Sequence, residues 1–384
     1  MPDRRCCTFA ADSPANERAV LLASAPIFFA LNVVVSGVAP YFPVYAAEHH
    51  GASPLAVGLV MACMPGAGSL SARPVSSVLL PRFGRTRVII FGLCTVSFGC
   101  LLWGIAGSMW AFALARMVMG AGMSCSWTGL SSLMMEYTED LARALAVQEG
   151  FAGVGFVAGP VFGGVMYDLL GLTGTAFFQG GLLLAFAPLA LKLLLPLKED
   201  EKRLAAADKP AAESLSIFHL LKDSCIFMGA LNICFSMLVY SAFEATYARH
   251  WKTILGTTAT TNGLIMALSA LVYAYCNFPA ATLTNKYGAR KVMTFGCLLF
   301  GLGFALTAPS AFMGPGNWSR AAVTVSVLCG VAMTGMAFPA IWIPGLPLMR
   351  SGAKANPTIG SDATDALAGL SYTSTSAGPY RCYY

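Results

Sequence analysis

The sequence contains very little charge. Only 11 % of its 384 residues are Asp, Glu, Lys or Arg, whereas 57 % are hydrophobic. A soluble globular domain carries about 25 % charged residues, and polar side chains this scarce cannot cover a surface exposed to water. The composition therefore excludes a soluble enzyme, a nucleic-acid-binding domain, a coiled coil and a disordered chain.

The sequence also lacks the motifs that serve catalysis or bind metals. It has no phosphate-binding P-loop, no HExxH zinc motif and no GxSxG nucleophile motif. None of the 12 cysteines forms a CxxC pair, the spacing that metal and redox sites use. We therefore expect a protein that is not an enzyme and that has no cofactor and no metal ion.

Long apolar runs fill most of the chain. A membrane-spanning helix needs about 20 consecutive apolar residues, and many runs reach that length without the two-residue alternation of a membrane β-barrel. The sequence therefore predicts an all-α, polytopic membrane helix bundle with ten spans. The predicted spans are 19–45, 54–80, 88–107, 109–135, 145–169, 174–197, 224–247, 258–284, 291–312 and 320–343.

The few charges are concentrated at alternate ends of the predicted spans. Basic residues cluster between spans 2 and 3, between spans 8 and 9, and in the polar segment 198–223. Because Lys and Arg are enriched in cytoplasmic loops, we expect a cytoplasmic N-terminal tail at 1–18 and a cytoplasmic linker at 198–223. The linker separates a six-helix half, 19–197, from a shorter half of four helices, 224–345.

The end of the sequence differs from the rest. Residues 346–384 contain no apolar run long enough to span a membrane. We expect a polar tail there, in which the segment 366–380 is either part of that tail or the start of an eleventh helix.

Two short strings recur at equivalent places in the two halves. The string FGRTRV, 83–88, follows span 2, and the string YGARKV, 287–292, follows span 8. Each consists of an aromatic residue, a glycine, a basic cluster and a valine at the start of the next helix. Recurrence after six spans predicts a parallel repeat of a six-helix unit, as in large secondary transporters.

Span 5 carries a stripe of glycines. Gly155, Gly159 and Gly163 recur every four residues, which places them on one face of a helix where another backbone can approach closely. Pro160 removes one backbone donor and bends a helix. The segment is either an ordinary packing face or a place where two halves of the protein rock against each other.

The full string resembles a known family motif. With Gly164 it reads G-x-x-x-G-P-x-x-G-G, which is similar to the fifth-helix antiporter motif of the major facilitator superfamily. The fourth-helix motif of that superfamily, R-x-x-x-G-x-G, is present as Arg116, Gly120 and Gly122. The superfamily fold has twelve helices, so the resemblance implies that fold truncated to about ten.

The chain also resembles one branch of the superfamily. The strings APYFPVYAAEHHGAS at 39–53, the segment 145–171 and FEATYARH at 243–250 are similar to the vesicular amine transporters, and especially to the polyamine-transporter-like branch. This resemblance extends over about residues 19–345.

The loop after span 2 resembles the superfamily's gating motif, G-x-x-x-D-R-x-G-R-R. Pro81 and, in the second copy, Asn285 replace the Asp, so the carboxylate that would latch the two halves is missing. The basic and glycine positions that remain are Arg82, Gly84, Arg85 and Arg87 in the first copy and Lys286, Gly288 and Arg290 in the second.

Glu149 and Glu244 are acids inside predicted spans. Inserting a charge there costs about 2.5–3.5 kcal/mol, so each of them is expected to have a specific role. The resemblance implies that Glu244, in span 7, meets the ammonium group of a substrate. A carboxylate in a medium of low dielectric constant attracts a cation strongly and exchanges it for a proton when burial raises its pKa. In the alternative interpretation, Glu244 is a carboxylate at the end of its span that lies in water near Arg249. Glu149 either carries a proton in the same way or anchors nearby basic loops.

Two further polar residues belong to the candidate site. Arg116, in span 4, serves either a coupling role in a cavity or helix packing. The amine transporters carry an acid in their first helix, and here only Asn32 is polar in that neighbourhood. Span 10 contains no acid either, so a specificity for monoamines is not expected.

These observations predict a secondary active transporter, a proton-coupled antiporter of an organic cation that works by alternating access. Its partners would be a small amine or polyamine, protons and the lipid bilayer, with no nucleic acid. The location would be a vesicle, vacuole or plasma membrane, with multiple passes. The alternatives are a multidrug exporter of the same superfamily and a truncated membrane protein that does not transport.

Overall fold

The computed structural model describes residues 14–137, 141–194, 223–307, 318–344 and 348, and its described residues form helices and turns without a strand. A helix occupies each of the ten predicted spans, which confirms the all-α bundle. The helices are α1 Pro14–Ser36, α2 Phe42–His50, α3 Pro54–Pro74, α4 Leu80–Phe83, α5 Arg85–Gly104, α6 Met109–Tyr137, α7 Leu141–Leu194, α8 Ser224–Leu255, α9 Ala259–Tyr287, α10 Ala289–Thr307 and α11 Arg320–Trp342.

Within the described ranges, 6 helical segments are long and apolar enough to cross a membrane. One of them, Gly150–Leu189, contains 40 residues, about 60 Å at 1.5 Å per residue, which is enough for two passes. Gly171 interrupts this segment of α7 with a φ of 68°, a backbone conformation that glycine adopts without a steric penalty. Predicted spans 5 and 6 are therefore the two parts of α7, joined at Gly171.

The prediction of one continuous helix over 19–45 was wrong. Helix α1 ends at Ser36, and α2 begins at Phe42 after a turn. Pro40 and Pro43 have no backbone N–H to continue a helical hydrogen-bond pattern. The Asn262 side chain of α9 donates to the carbonyl oxygen of Pro40 at 3.2 Å, so a carbonyl in this break is satisfied by the other half of the protein.

Two other predicted boundaries differ from the structure. Helix α3 ends at Pro74 and continues through a π-helical turn, Val75–Leu79, into α4. Helix α8 extends to Leu255 rather than to residue 247, about two further turns. This extension carries Arg249 and Lys252 beyond the apolar part of the helix.

The two copies of the short repeat adopt the same backbone conformation. Gly84 has φ 81° and ψ 153°, and Gly288 has φ 88° and ψ 149°. Each glycine lies between the end of one helix and the start of the next. A cation beside an aromatic ring precedes each glycine. Arg82 Cζ lies 5.7 Å from the Phe83 ring centroid, and Lys286 Nζ lies 5.3 Å from the Tyr287 ring centroid. The structure at these positions agrees with a repeat of the helical unit.

The apolar core is divided between the two halves. The larger cluster lies among α1, α3, α5, α6 and α7, and it contains the fully buried Phe28, Trp103 and Trp127. A second cluster is built around Trp251 of α8 with residues of α9 and α11. Val44 of α2 belongs to this second cluster, so the short helix after the break packs against the other half.

Candidate functional site

Arg116 is buried in the first half of the protein, with 2 % of its surface exposed. Its Nη1 atom donates to the Met64 sulfur at 3.0 Å, and Nη2 donates to the Met61 sulfur at 3.1 Å. The Arg116 Cζ atom lies 5.3 Å from the Trp103 ring centroid, within the range of a cation–π interaction. A thioether is a weak acceptor, so this cation is buried among weak partners.

Two glycines of α6 explain why Arg116 lies where it does. A Cβ atom added to Gly120, one turn after Arg116, would overlap the Met64 carbonyl oxygen of α3. A Cβ atom added to Gly122 would lie 2.8 Å from the Gly92 carbonyl oxygen of α5. The R-x-x-x-G-x-G spacing therefore lets α3 and α5 approach α6 closely and brings the methionine sulfur atoms beside the guanidinium group.

Aromatic residues enclose the same site. Tyr41 and Trp103 are fully buried, and both are neighbours of Arg116. The Tyr41 hydroxyl interacts with the Trp103 side chain, and neither polar atom has another hydrogen-bond partner in the described part of the structure. Sequence analysis missed Tyr41 and Trp103 because aromatic residues are frequent throughout such a chain.

Glu244 lies on α8, in the second half, and its side chain is half-buried between the buried Phe243 and Ala245. The Glu244 carboxylate is within electrostatic range of the Arg116 guanidinium group. A carboxylate and a guanidinium cation from opposite halves of the protein therefore interact electrostatically. Arg249, the alternative neighbour, donates to the Ala52 carbonyl oxygen at 3.4 Å.

Hydrogen bonds to α10 fix the position of α8 around Glu244. The Tyr247 hydroxyl, one turn later, donates to the Phe304 carbonyl oxygen at 3.0 Å. The Trp251 indole nitrogen donates to the Thr307 carbonyl oxygen at 3.2 Å. These two bonds lie on one face of α8, and they set the rotation of the helix that carries the carboxylate.

The other two candidate polar residues contribute less to this site. Asn32 is buried, and its amide nitrogen donates to the Phe28 carbonyl oxygen at 2.8 Å, so part of its hydrogen-bonding capacity is used inside α1. Glu149 lies within α7, but its side chain is outside the described part of the structure. The roles predicted for both residues stay predictions.

The glycine motif of α7 contacts two different helices. Cβ atoms added to Gly155 and Gly159 would overlap Phe29 and Ser36 of α1, and one added to Gly163 would overlap Gly37, the first residue after α1. The next glycine faces elsewhere: a Cβ atom on Gly164 would overlap the Ala259 carbonyl oxygen of α9.

The face of α7 that carries Gly164 contacts α9 at a second point. A Cβ atom added to Gly263 of α9 would overlap the Pro160 carbonyl oxygen. This part of α7 therefore packs against its own half through one set of glycines and against the other half through Pro160 and Gly164.

One end of the bundle joins the two halves through polar contacts. We call it the Glu48 end and define it by residues 40–53, 168 and 249–262. Lys252 Nζ lies 2.5 Å from Glu48 Oε1, and the two side chains are 44 % and 50 % exposed. The Thr260 backbone N–H donates to Asp168 Oδ2 at 2.8 Å. Sequence analysis missed these contacts because no local pattern relates residues about 90 to 200 positions apart.

The loop motif lies elsewhere and makes contacts within the first half. Arg85 Nε donates to the Ser132 hydroxyl of α6 at 2.9 Å, whereas Arg87 and Arg290 are exposed. The structure does not bring these basic residues to the Arg116 site. Among the described residues, no group of three His, Cys, Asp or Glu side chains is arranged to bind a metal ion.

Residues 22–343 match the family model described as Major Facilitator Superfamily. The chain belongs to the major facilitator superfamily. This confirms the family recognised from the glycine motifs, and members of this superfamily are membrane transporters rather than enzymes.

Among curated proteins, this superfamily chain is similar to amine transporters. It is 25 % identical over 258 residues to the chromaffin granule amine transporter of Homo sapiens, covering 64 % of this chain and 48 % of that protein. It is 27 % identical over 249 residues to the synaptic vesicular amine transporter of Mus musculus, covering 64 % and 46 %. The chain thus spans about half the length of these relatives.

A third relative is matched over more of its length. The mouse MFS-type transporter SLC18B1 is 26 % identical over 352 residues, which cover 88 % of this chain and 72 % of that protein.

Solved structures show the same superfamily fold. The nucleoside transporter NupG aligns with a TM-score of 0.70 at 12 % identity, covering 94 % of this chain and 88 % of that one. A bacterial homologue of the human lysosomal transporter Spinster aligns with a TM-score of 0.70 at 17 % identity, covering 96 % and 81 %. At these identities the likeness concerns the fold alone.

Proposed function

We propose that this protein is a proton-coupled antiporter that moves a small organic cation, an amine or polyamine, by alternating access. The observation that carries the proposal is the placement of Glu244 of the second half within electrostatic range of the buried Arg116 of the first. Similarity to amine transporters supports the class of substrate. The membrane would be that of a vesicle, a vacuole or the cell surface.

The proposed exchange uses the charge of Glu244. Without a proton, the half-buried carboxylate attracts the ammonium group of the substrate, because opposite charges interact strongly where water is scarce. When a proton neutralises Glu244, that attraction is lost and the cation leaves. Proton and substrate therefore compete for one carboxylate, which is the requirement for exchange, and Glu149 would be a second proton carrier.

The glycine motif supplies a place for the halves to move. Pro160 and Gly164 of α7 contact α9 across the two halves, whereas Gly155, Gly159 and Gly163 bind α7 to α1 within one half. During alternating access the first contact must change, and the second can remain rigid. The positive-inside pattern supports a cytoplasmic N-terminus.

Uptake by proteoliposomes with an acidic interior tests the function. We expect Glu244→Gln to reduce proton-driven accumulation of a labelled amine by more than about tenfold, because glutamine cannot release a proton or carry the attracting charge. Asp223→Asn is the matched control: it also removes one carboxylate near α8, and asparagine can still cap the helix as Asp223 does for the Ile226 N–H. Equal accumulation by Glu244→Gln and the unsubstituted protein would exclude this role for Glu244.

A further inference from the structure

The site around Arg116 contains buried hydrogen-bond donors that have no acceptor. Arg116 Nε is buried and has no hydrogen-bond partner in the described part of the structure. Trp103 Nε1 and the Tyr41 hydroxyl are buried beside it, interact with each other and have no further hydrogen-bond partner there. The guanidinium and indole N–H groups can only donate. A buried donor without a partner costs free energy, so the Arg116 guanidinium group and the two donors beside it indicate an acceptor that is supplied by a ligand.

Aromatic packing holds these donors in position. The Trp103 ring lies 4.5 Å from the Phe42 ring and 4.8 Å from the Phe112 ring, measured between centroids. The Tyr41 ring stacks on Tyr167 at 4.7 Å with an angle of 7° between the planes. Because each ring is packed on a neighbour, its polar atom cannot turn freely to another partner. The donors are therefore preorganised for an acceptor.

The charges of the two halves are opposite at this site. Arg116 is the only charged side chain among the described residues that are classed as buried, and Glu244 of the other half interacts with it electrostatically. An amine without an anionic group would be attracted by Glu244 and repelled by Arg116. A molecule with one cationic end and one anionic end would satisfy both residues.

We propose that the substrate is a small zwitterion, whose ammonium group binds Glu244 and whose carboxylate accepts hydrogen bonds from Arg116, Trp103 and Tyr41. This inference rests on the proposed function, since it assigns a second substrate group to the same site. A guanidinium group matches the geometry of a carboxylate and binds it through charge-assisted hydrogen bonds. Within the proposed class of amines, the substrate is therefore one that also carries an acid, such as an amino acid.

Pairs of compounds that differ by one carboxylate test the proposal. The purified full chain is reconstituted in proteoliposomes, and uptake of the labelled compounds is measured for putrescine and ornithine, agmatine and arginine, and tyramine and tyrosine. We expect the member with the carboxylate to be preferred by about tenfold or more in uptake efficiency, because a site built to hydrogen-bond a group discriminates against the analogue that lacks it.

Variants connect this preference to the named donors. Arg116→Gln should remove the preference and leave a ratio near one, and Trp103→Phe and Tyr41→Phe should each reduce it, because each deletes a donor and keeps the ring. Arg320→Gln, which removes an exposed cation from the first turn of α11, is the control and should leave the ratio unchanged. The two aromatic variants keep the test decisive if Arg116→Gln does not fold.

The outcomes separate the two proposals. Proton-driven uptake of amines alone, or a preference that survives Arg116→Gln and both aromatic variants, would overturn the zwitterion proposal and leave the proposed function standing. No proton-driven uptake of any compound would overturn the proposed function, and this inference with it. A further measurement compares the thermal stability of the protein in chloride and in gluconate, with and without the zwitterions. If chloride stabilises the protein and the zwitterions do not, the acceptor is an inorganic anion, and the zwitterion proposal is overturned.

Discussion

At the scale of single residues, Arg116 depends on a glycine one turn away. Gly120 lets the α3 backbone approach α6, and this approach places Met61 and Met64 beside the guanidinium group. The R-x-x-x-G motif thus has a steric cause in this protein: without the glycine, the methionine sulfur atoms would move away from Arg116. The consequence concerns both the stability of the bundle and the site.

Replacing Gly120 by alanine should therefore destabilise the protein. The added Cβ atom would overlap the Met64 carbonyl oxygen, and forcing two helices apart costs about 1–3 kcal/mol. The free energy of unfolding in a detergent titration measures this change.

Gly66→Ala is the matched control because a Cβ atom there meets nothing within 4 Å. That variant should be neutral or more stable by about 0.5–1 kcal/mol, since alanine favours a helix over glycine. An equal loss of stability in both variants would contradict the steric explanation.

At the scale of secondary-structure elements, α7 has two kinds of neighbour. Its stripe of glycines packs on α1, and the local signal for that packing, a glycine every four residues, is visible in the sequence. Its contact with α9 uses Pro160 and Gly164, which lie within the same motif but face the other half. Only the second contact joins elements that alternating access would separate.

Gly164→Ala should weaken the contact between the halves and leave the first half folded. The new Cβ atom would overlap the Ala259 carbonyl oxygen, so we expect faster hydrogen–deuterium exchange at the start of α9, with a cost of about 1–3 kcal/mol to that contact. Gly153→Ala, on the same helix with nothing within 4 Å of its added Cβ atom, should exchange like the unsubstituted protein. Unchanged exchange in Gly164→Ala would show that this contact does not hold the halves together.

At the scale of the whole molecule, the Glu48 end joins the two halves in this conformation. The Glu48–Lys252 ion pair, the Thr260–Asp168 bond and the Asn262–Pro40 bond all lie there. The ion pair is close to half-exposed on both sides, so water and salt screen it and its contribution is at most about 1 kcal/mol. It adjusts the balance between conformations and does not determine the fold.

Reversing one charge of the pair should open this end. In Glu48→Lys two cations meet, and we expect the population of the joined conformation to fall by up to about fivefold, seen as faster hydrogen–deuterium exchange in 40–53 and 249–262. Combining Glu48→Lys with Lys252→Glu should restore slow exchange, and the difference should shrink at high salt. A double variant that exchanges as fast as the single one would argue against a role for the pair.

Some features of the fold follow from local sequence, and others do not. The break between α1 and α2 was missed although Pro40 lies within it and Pro43 lies in the first turn of α2. The apolar run continues through the break, and hydropathy does not record backbone donors. The extension of α8 to Leu255 was missed for the opposite reason, since its last turns are polar. The repeat around Gly84 and Gly288 was recognised because both positions have a positive φ, which favours glycine and therefore places the same residue at both points of the sequence.

The sequence by itself determined the membrane class, the positions of the helices, the repeat and the superfamily. Hydropathy, glycine spacing and proline act within a few turns of chain, so these properties can be read along it. The tertiary structure alone decided which polar groups meet: Arg116 with Tyr41, Trp103 and Glu244, and Lys252 with Glu48. Such pairs join residues far apart in the chain, and their geometry depends on how closely whole helices pack.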